Sequence, residues 1–363
     1  MKGCLNLRDR DAIIVAENII FRVYGYFHPR EGYVCDVEYA PSEIFTSNDP
    51  RAMRQAGRRV FYKFYSDEGL RFILQYYPKY TVFYKPLRRR LVGVYEKHIK
   101  EIREPWRRLQ LLLEEDAKDD LLKALRNVVE FVTKRSGLSS RNFGVFGSLL
   151  HGFYHPQFSD IDLIIYGGGR LKRLLETLKE LYSERDSPLK NEFEKYEAAG
   201  NKRWRFLNYT KKEFLEHQRR KMIYAVFYHK DIGRRIKVEF EPVKEWEEIY
   251  NEYNDEMRII KRGWIKAIAR VKDSSESPFM PSIYKIELLK ILEGPKVYDV
   301  NRIISYVEEF RMQAEKDDLV LVEGNLEQVI TQKSSFHQII LTYGPGYYEQ
   351  VLKTIRYLSL IHI

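Results

Sequence analysis

The chain has 363 residues, of which 44% are hydrophobic and 14% aromatic. This composition excludes a disordered chain, and the length exceeds what one core usually organises, so two or three globular domains are expected. Two cysteines, Cys4 and Cys35, exclude a disulfide framework and suit a reducing cytoplasm. No apolar run has the length of a signal peptide or a membrane span, so we expect neither export nor membrane insertion.

The net charge of +10 and the isoelectric point near 9.2 are compatible with two interpretations. A positive field attracts the phosphates of a nucleotide or a nucleic acid. A solvated surface rich in Lys and Glu is also typical of thermophile proteins. Charge alone does not distinguish the two.

The first hundred residues predict a small β-rich domain, which we place at 1–112. β-Branched and aromatic runs broken by turn residues favour strands at 12–27, 32–41, 60–65 and 81–85. Residues 85–109 then predict a basic, partly helical exit from this domain. Its Lys and Arg residues either follow a phosphodiester backbone or form the solvated face of an amphipathic helix.

The middle of the chain, 113–248, alternates helices and strands as an α/β unit does. A helix is predicted over 117–135, because apolar residues recur at helical spacing and Gly137 follows. The further elements are a strand at 143–146, a Gly-Ser turn, a strand at 161–166, a helix at 170–184, a charged and mostly helical segment at 186–222, and a hairpin over 225–243 that turns at Asp231 to Gly233.

The last third of the chain, 249–363, predicts a second β-rich domain. Its strands are expected in the segments GWIKAIARV, SIYKIELLKI, DLVLVEGNLEQVI and FHQIILTYG. A helix is predicted over 298–316, between the second and third of these strands.

The most informative stretch runs from Asn142 to Gly167, NFGVFGSLLHGFYHPQFSDIDLIIYG. An apolar strand leads to Gly147 and Ser148 at a sharp turn before a helix. Backbone N–H groups point outward at such a turn and the helix dipole favours anions, so a triphosphate can bind there. Gly147 allows close approach of the backbone, and the Ser148 hydroxyl can donate to a phosphate oxygen.

Asp160 and Asp162 lie two residues apart at the start of the next apolar strand. Both side chains therefore leave one face of the strand, while Ile161, Leu163 and Ile165 leave the other. Two residues of strand span about 6.6 Å, so the two carboxylates can flank a two-metal cluster, whose ions lie roughly 3.5 to 4 Å apart. Since carboxylates are the hard oxygen ligands that Mg²⁺ prefers, the pair is a candidate site for Mg²⁺ or Mn²⁺.

A Gly-Ser turn followed after eleven residues by Asp-x-Asp in an apolar strand resembles the signature of the polymerase-β nucleotidyltransferase superfamily. By that resemblance, Asp160 and Asp162 hold two metal ions, and Gly147, Ser148 and Ser159 contact the NTP. The resemblance also implies the fold of the central domain, a small mixed sheet with helices. The expected fold class is therefore α+β, with two β-rich domains flanking a polymerase-β-like core.

The superfamily also has a third carboxylate on a neighbouring strand, and the segment RRIKVEFEPV, 234–243, supplies two candidates. Glu239 has an apolar residue on each side, which is the expected pattern, and Glu241 is the alternative. The family more often has Asp here, so the longer Glu departs from its pattern. Arg235 and its neighbour Arg234 are expected either to reach the triphosphate or to be solvated hairpin charges.

Most of the chain also resembles a family of archaeal predicted nucleotidyltransferases with a DNA polymerase β-like domain. The segments that carry this resemblance are RDRDAIIVAENIIFRVYGYFHP, YPKYTVFYKPLRRRLVGVY, SPFMPSIYKIE and VEGNLEQV. The expected activity is transfer of NMP from an NTP, with pyrophosphate release, to an acceptor hydroxyl at a single-stranded RNA or DNA end. Two alternatives remain open: an enzyme that transfers adenylate to a protein hydroxyl, and a nucleotide- or nucleic-acid-binding scaffold without turnover.

Overall fold

The computed structural model of the protein describes residues 6–194, 206–228, 232–344 and 346–355. The chain divides into two compact units. The first contains residues 1–84, 89–192 and 222–252, and the second contains residues 85–88, 193–221 and 253–363. The first unit includes most of the predicted N-terminal and central domains, and the three-domain division of the chain remains a prediction.

An eight-stranded sheet forms the N-terminal part of the first unit. Its strands are β1 (Ala12–Ile14), β2 (Ile20–Val23), β3 (Gly32–Pro41), β4 (Met53–Ala56), β5 (Arg59–Lys63), β6 (Thr81–Tyr84), β7 (Arg89–Tyr95) and β8 (Glu101–Arg103). The order β4-β5-β3-β2-β1-β8 is antiparallel, and β7 and β6 extend from β3. Helix α1 (Glu68–Tyr76) packs Phe72 and Ile73 into the core on one face of this sheet.

The segment predicted as a partly helical exit, 85–109, is mainly strand before residue 105. It contains β7 and β8, and helix α2 (Pro105–Glu114) then begins at its proline. Proline suits the first turn of a helix because its missing N–H would have no partner there. Pairing of β7 with β3 and β6 buries Val92 and Val94, and this burial overrides the helical pattern of the local sequence.

A five-stranded mixed sheet forms the rest of the first unit, in the order β11-β12-β13-β10-β9. Its strands are β9 (Phe143–Val145), β10 (Ile161–Tyr166), β11 (Leu189–Asn191), β12 (Tyr224–Tyr228) and β13 (Arg235–Val243), and its helices are α3 (Asp120–Ser136), α4 (Gly147–His151) and α5 (Gly168–Ser183). Strands β10 and β13 are parallel, and the other neighbours are antiparallel. Every strand and helix predicted between 113 and 184 is confirmed within a few residues.

Both ends of α3 have local capping signals, of which the prediction used only Gly137. The Asp119 carboxylate accepts a hydrogen bond from the Leu122 N–H at 3.0 Å, which caps the first turn. Gly137 ends the helix in the left-handed region, with φ of +66°. Both signals are local, so a single sequence reveals them.

The second unit is built on a six-stranded sheet. Its elements are α6 (Lys211–Arg220), β14 (Arg258–Asp273), β15 (Ser282–Glu293), β16 (Val300–Ser305), β17 (Leu319–Ile330), β18 (Ser335–Leu341) and β19 (Val351–Thr354). Because β14 pairs with both β15 and β17, five strands close into a barrel of order β14-β15-β16-β18-β17, in which β16 and β18 are parallel. This is the strand order of the OB barrel, a five-stranded Greek-key fold.

The helix predicted over 298–316 is wrong, since this segment contains β16. Val300, Ile303, Ile304 and Val307 do recur at helical spacing. Strand β16 is nevertheless paired on both sides, by β15 and β18, and Val300 and Ile303 point into the barrel core. Tertiary pairing therefore outweighs the local periodicity.

The charged segment predicted as mostly helical, 186–222, contains β11 and α6, and its residues 195–205 lie outside the described residues. The hairpin predicted over 225–243 is confirmed as β12 and β13, while 229–231 at its turn, including Asp231, are likewise outside them. No helix in the described ranges is long and apolar enough to cross a membrane.

Candidate active site

The Gly-Ser turn lies directly against Asp162. Val145 at the end of β9 pairs with Leu163 of β10, and the next residue, Phe146, donates its N–H to the Asp162 carbonyl at 3.1 Å. Gly147 then adopts a φ of +59°, and a Cβ atom added to it would lie 2.5 Å from Asp162 Oδ2. Any other residue would be strained there and would displace the carboxylate.

Ser148 occupies the first turn of α4, one residue beyond this contact. The helix is only five residues long and ends at Gly152, whose φ is +71°. Leu149 and Leu150 are buried beneath it, whereas Ser148 is half-buried. The Ser148 side chain therefore remains partly accessible to a ligand.

The two aspartates lie where the sequence predicts them, with Asp160 exposed just before β10 and Asp162 half-buried within it. Burial raises the pKa of the Asp162 carboxyl well above its usual range, and the charges of Asp160, Glu241 and Glu38 raise it further. The Lys63 ammonium opposes this shift. A carboxylate in such surroundings is stabilised by any additional cation.

Parallel pairing places Glu239 beside Asp162. The two residues are register partners on β13 and β10, and adjacent strands lie about 4.8 Å apart. Glu241 is the partner of Ile164 instead, and its carboxylate accepts a hydrogen bond from Arg10 Nη2 at 2.9 Å in a buried ion pair. The register thus favours Glu239 over Glu241 as the third carboxylate, and the assignment remains a prediction.

The oxygen donors of Asp160, Asp162 and Glu239 are of the type that suits a divalent metal ion. Over the described ranges, no three His, Cys, Asp or Glu side chains are positioned to hold a metal ion. Asp160, Asp162 and Glu239 nevertheless offer hard oxygen donors on one face of adjacent parallel strands. Because Asp162 already experiences repulsion from acidic neighbours, the chemistry of these residues fits Mg²⁺ or Mn²⁺.

An ion pair that the sequence did not predict lies on the same face. Lys237 precedes Glu239 by two residues on β13, and its Nζ is 2.6 Å from Glu192 Oε1. Burial lowers the pKa of Lys237, but the hydrogen bond to Glu192 and the charges of Asp160 and Glu239 outweigh burial and raise it. Lys237 is therefore a cation close to the candidate carboxylates.

The loop before β10 is braced by its own polar groups. The Ser159 hydroxyl accepts a hydrogen bond from the His155 N–H at 2.8 Å, and Arg234 Nη2 donates to the Pro156 carbonyl at 2.8 Å. Arg235 begins β13 and is exposed. The assignment of Ser159 and Arg235 to NTP binding remains a prediction.

The N-terminal sheet contributes side chains to this site, which the sequence did not predict. Tyr39 of β3 packs edge-on against His151 and Phe153, with ring centroids 5.4 and 5.2 Å apart. Lys63 of β5 is the register partner of Tyr39. The pKa of Lys63 is raised chiefly by Tyr39, with contributions from nearby carboxylates that include Asp162.

The sequence contains one sign that N-terminal residues approach the site, namely the run of four charged residues RDRD at 8–11. All four of its charged residues are buried, which is rare for such residues unless they are paired. Arg8 lies over the Tyr166 ring at 3.8 Å, and Arg10 pairs with Glu241. Lys63 has no comparable signal, because Asp162 on the five-stranded sheet is about one hundred residues distant from it in sequence.

Residues 125–228 match the family model of the nucleotidyltransferase domain. This region contains the Gly-Ser turn, Asp160 and Asp162. The chain therefore carries a nucleotidyltransferase domain of the polymerase-β-like superfamily, as the motif predicted.

One curated relative is an uncharacterized protein of the archaeon Methanocaldococcus jannaschii. It is 25% identical to this chain over 340 residues, which cover 93% of this chain and 95% of the relative. The similarity thus extends well beyond the matched domain, into both units. No solved structure matches this chain significantly.

Proposed function

We propose that the protein is a metal-dependent nucleotidyltransferase that transfers NMP from an NTP to an acceptor hydroxyl and releases pyrophosphate. One observation carries this proposal: Gly147 lies against Asp162, and Glu239 on the adjacent strand β13 is the register partner of Asp162. Gly147 and Asp162 both fall within the matched nucleotidyltransferase domain. A surface strand with two incidental acids would have no reason for such a close approach of a glycine backbone.

Asp160, Asp162 and Glu239 would hold two Mg²⁺ or Mn²⁺ ions, which neutralise phosphate charge and lower the pKa of an attacking hydroxyl when bound. Gly147 allows the backbone N–H groups of the turn to approach phosphate oxygens, and the Ser148 hydroxyl donates to them. The remaining contribution of the protein is positioning and charge stabilisation.

The transfer balances without any further reactant. The acceptor oxygen forms a bond to the α-phosphorus while the bond from that phosphorus to the β-phosphate oxygen breaks, and pyrophosphate carries away the electron pair. The proton of the hydroxyl passes to solvent or to a carboxylate of the site. The cation Lys237 lies on the face where the negative charge of the triphosphate would accumulate.

For the acceptor, we propose the end of a single-stranded nucleic acid. The net charge of +10 supports a polyanionic partner. The strand order of the second unit supports it independently, since OB barrels bind oligonucleotides or oligosaccharides on an exposed face. This second argument is one of fold and identifies no individual residue.

The test is incubation of the protein with Mg²⁺ or Mn²⁺, each α-labelled NTP in turn, and mixed single-stranded RNA and DNA. We expect label on nucleic acid and release of pyrophosphate, both abolished by the double variant Asp160→Asn and Asp162→Asn. A matched control is Glu176→Gln, which removes an exposed carboxylate from α5. Label on a protein instead would favour transfer to a protein hydroxyl, and no transfer under any condition would favour a binding scaffold.

A further inference from the structure

One face of the eight-stranded N-terminal sheet packs against α4, the short helix that begins at the Gly-Ser turn. Tyr39, Phe61, Leu150 and Phe153 belong to one buried cluster, in which Leu150 and Phe153 come from α4 and the residues after it. The rings of Phe61 and Phe153 are 4.8 Å apart, and those of Tyr39 and Phe153 are 5.2 Å apart. The outer strands of this sheet, β4 and β5, therefore border the site.

Three basic side chains share that face. Alternate residues of a strand point to the same side, so Arg59 and Lys63 of β5 leave the sheet on the side of Phe61. Arg54 of β4 is the register partner of Phe61 and leaves on the same side. We call Arg54, Arg59 and Lys63 the basic face.

The basic face extends from the neighbourhood of Asp162, at Lys63, to the solvent-exposed Arg59. At its inner end, Lys63 is the register partner of Tyr39 and interacts with Asp162 and Glu38. At its outer end, Arg59 is exposed beside the hairpin turn, and no carboxylate of the described residues lies within 4 Å of it. Arg54 Nη1 donates to the Met53 carbonyl at 2.9 Å, which holds this guanidinium against the hairpin.

We propose that the basic face binds the phosphate backbone of a single-stranded nucleic-acid acceptor and guides its end to Asp162. This inference rests on the proposed function and adds the surface that selects the acceptor. Lys63 and Arg59 are four residues apart on the strand, or about 13 Å. This distance exceeds the length of one triphosphate, but it matches the spacing of phosphates along consecutive nucleotides. Because no exposed aromatic residue of β4 or β5 lies on this face, binding is expected to tolerate any base sequence.

The experiment measures binding of a fluorescent RNA of about 20 nucleotides and mixed sequence, without NTP and in EDTA, by anisotropy at several salt concentrations. The test variant is Arg54→Ala with Arg59→Ala. The matched control is Lys172→Ala with Lys179→Ala, which removes the same charge from exposed positions of α5. Thermal unfolding of both variants verifies that they fold.

We expect the test variant to bind RNA at least tenfold more weakly at low salt, and the slope of log K against log salt to fall by about 2. The control should change affinity less than twofold. Equal losses in the two variants, or no binding by the unmodified protein, would overturn the inference. If the test variant binds RNA weakly but neither it nor the unmodified protein transfers NMP, the proposed function is wrong, while RNA binding by the basic face is supported. If the variant transfers NMP to RNA with unchanged KM, the inference fails alone.

Discussion

Glu239 and Glu241 are two residues apart on one strand, yet their surroundings differ. Glu239 is half-buried beside Asp162, whereas Glu241 is buried and paired with Arg10. Breaking a buried ion pair is costly because the remaining charge has no partner. Glu239 is, by contrast, partly exposed and in register with another acid, and it is the residue that we propose as the metal ligand.

Substitution of the two glutamates should therefore separate activity from stability. We expect Glu239→Gln to lower NMP transfer by about 100-fold or more, because a catalytic charge is lost, with little change in the free energy of unfolding. Glu241→Gln should cost about 2 to 4 kcal/mol of stability, because it breaks the buried ion pair between Glu241 and Arg10, while transfer by the folded enzyme persists. Urea unfolding and the labelled-NTP assay measure the two effects, and the reverse pattern would identify Glu241 as the ligand.

His28 should make the stability of the first unit depend on pH. Burial lowers the pKa of His28 to about 4, and both ring nitrogens are used: Nε2 lies 2.9 Å from the Gly25 carbonyl, and Nδ1 accepts from the Val34 N–H at 3.1 Å. The lowered pKa means that this stabilisation is complete above the unfolded pKa near 6.5. It is lost as the pH falls toward 4, since the unfolded chain then binds a proton that the native state does not.

The expected loss from this residue is about 3 kcal/mol between pH 6.5 and 4. His28→Gln keeps one donor and one acceptor but does not titrate in this range. Its free energy of unfolding should therefore fall less steeply with decreasing pH than that of the unmodified protein. Parallel curves for the two proteins in chemical denaturation would contradict the assignment.

The turn between β9 and α4 contains the residues that we propose to bind phosphate, Gly147 and Ser148. Its glycine is required twice, once for the positive φ and once for the contact with Asp162. Gly152 at the end of α4 also has a positive φ, of +71°, but a Cβ there would meet no atom within 4 Å. Substitution of the two glycines therefore separates the cost of backbone strain, which both share, from the effect of a clash with Asp162, which only Gly147 has.

Gly152→Ala should cost about 1 to 2 kcal/mol of stability from backbone strain alone and should leave NMP transfer nearly unchanged. Gly147→Ala should cost at least as much and should also lower transfer by about 100-fold or more, since the added methyl displaces the Asp162 carboxylate. Thermal unfolding and the transfer assay give both quantities. Equal activity of the two variants would show that the contact with Asp162 is not needed.

The elements of the central domain could be predicted because their signals are local. Gly137 and the Gly-Ser turn each mark an element end within one continuous stretch. Strand β16 could not, because its helical periodicity is overridden by two partners that are distant in sequence. Lys63 was missed for the same reason, since its approach to the site depends on packing between the two sheets rather than on spacing.

Positive charge is concentrated in one part of the chain. Residues 51–108 contain 16 Lys and Arg but only 5 Asp and Glu, and β4 and β5 lie within this range. The net charge of +10 is therefore distributed unevenly rather than as a uniform solvated surface. A field of this kind attracts polyanions and weakens with added salt.

The carboxylates of Asp160, Asp162 and Glu239 should in turn make the stability of the protein depend on divalent ions. A ligand that binds only the native state stabilises it by RT ln(1 + [L]/Kd), or about 2.7 kcal/mol at a concentration 100 times Kd. Asp162 is held among like charges, so a bound cation also relieves repulsion that the metal-free protein carries. We expect Mn²⁺ with a non-hydrolysable NTP analogue to raise the unfolding temperature of the unmodified protein.

The double variant Asp160→Asn and Asp162→Asn separates this effect from general ionic stabilisation. Without metal, it should be more stable than the unmodified protein, on the order of 1 to 2 kcal/mol, because a repelled, partly buried charge is removed. It should also lose most of the shift caused by Mn²⁺ and the analogue, whereas Glu176→Gln should retain the full shift. An equal shift in all three proteins would place metal binding elsewhere on the molecule, and the proposed roles of both aspartates would then be wrong.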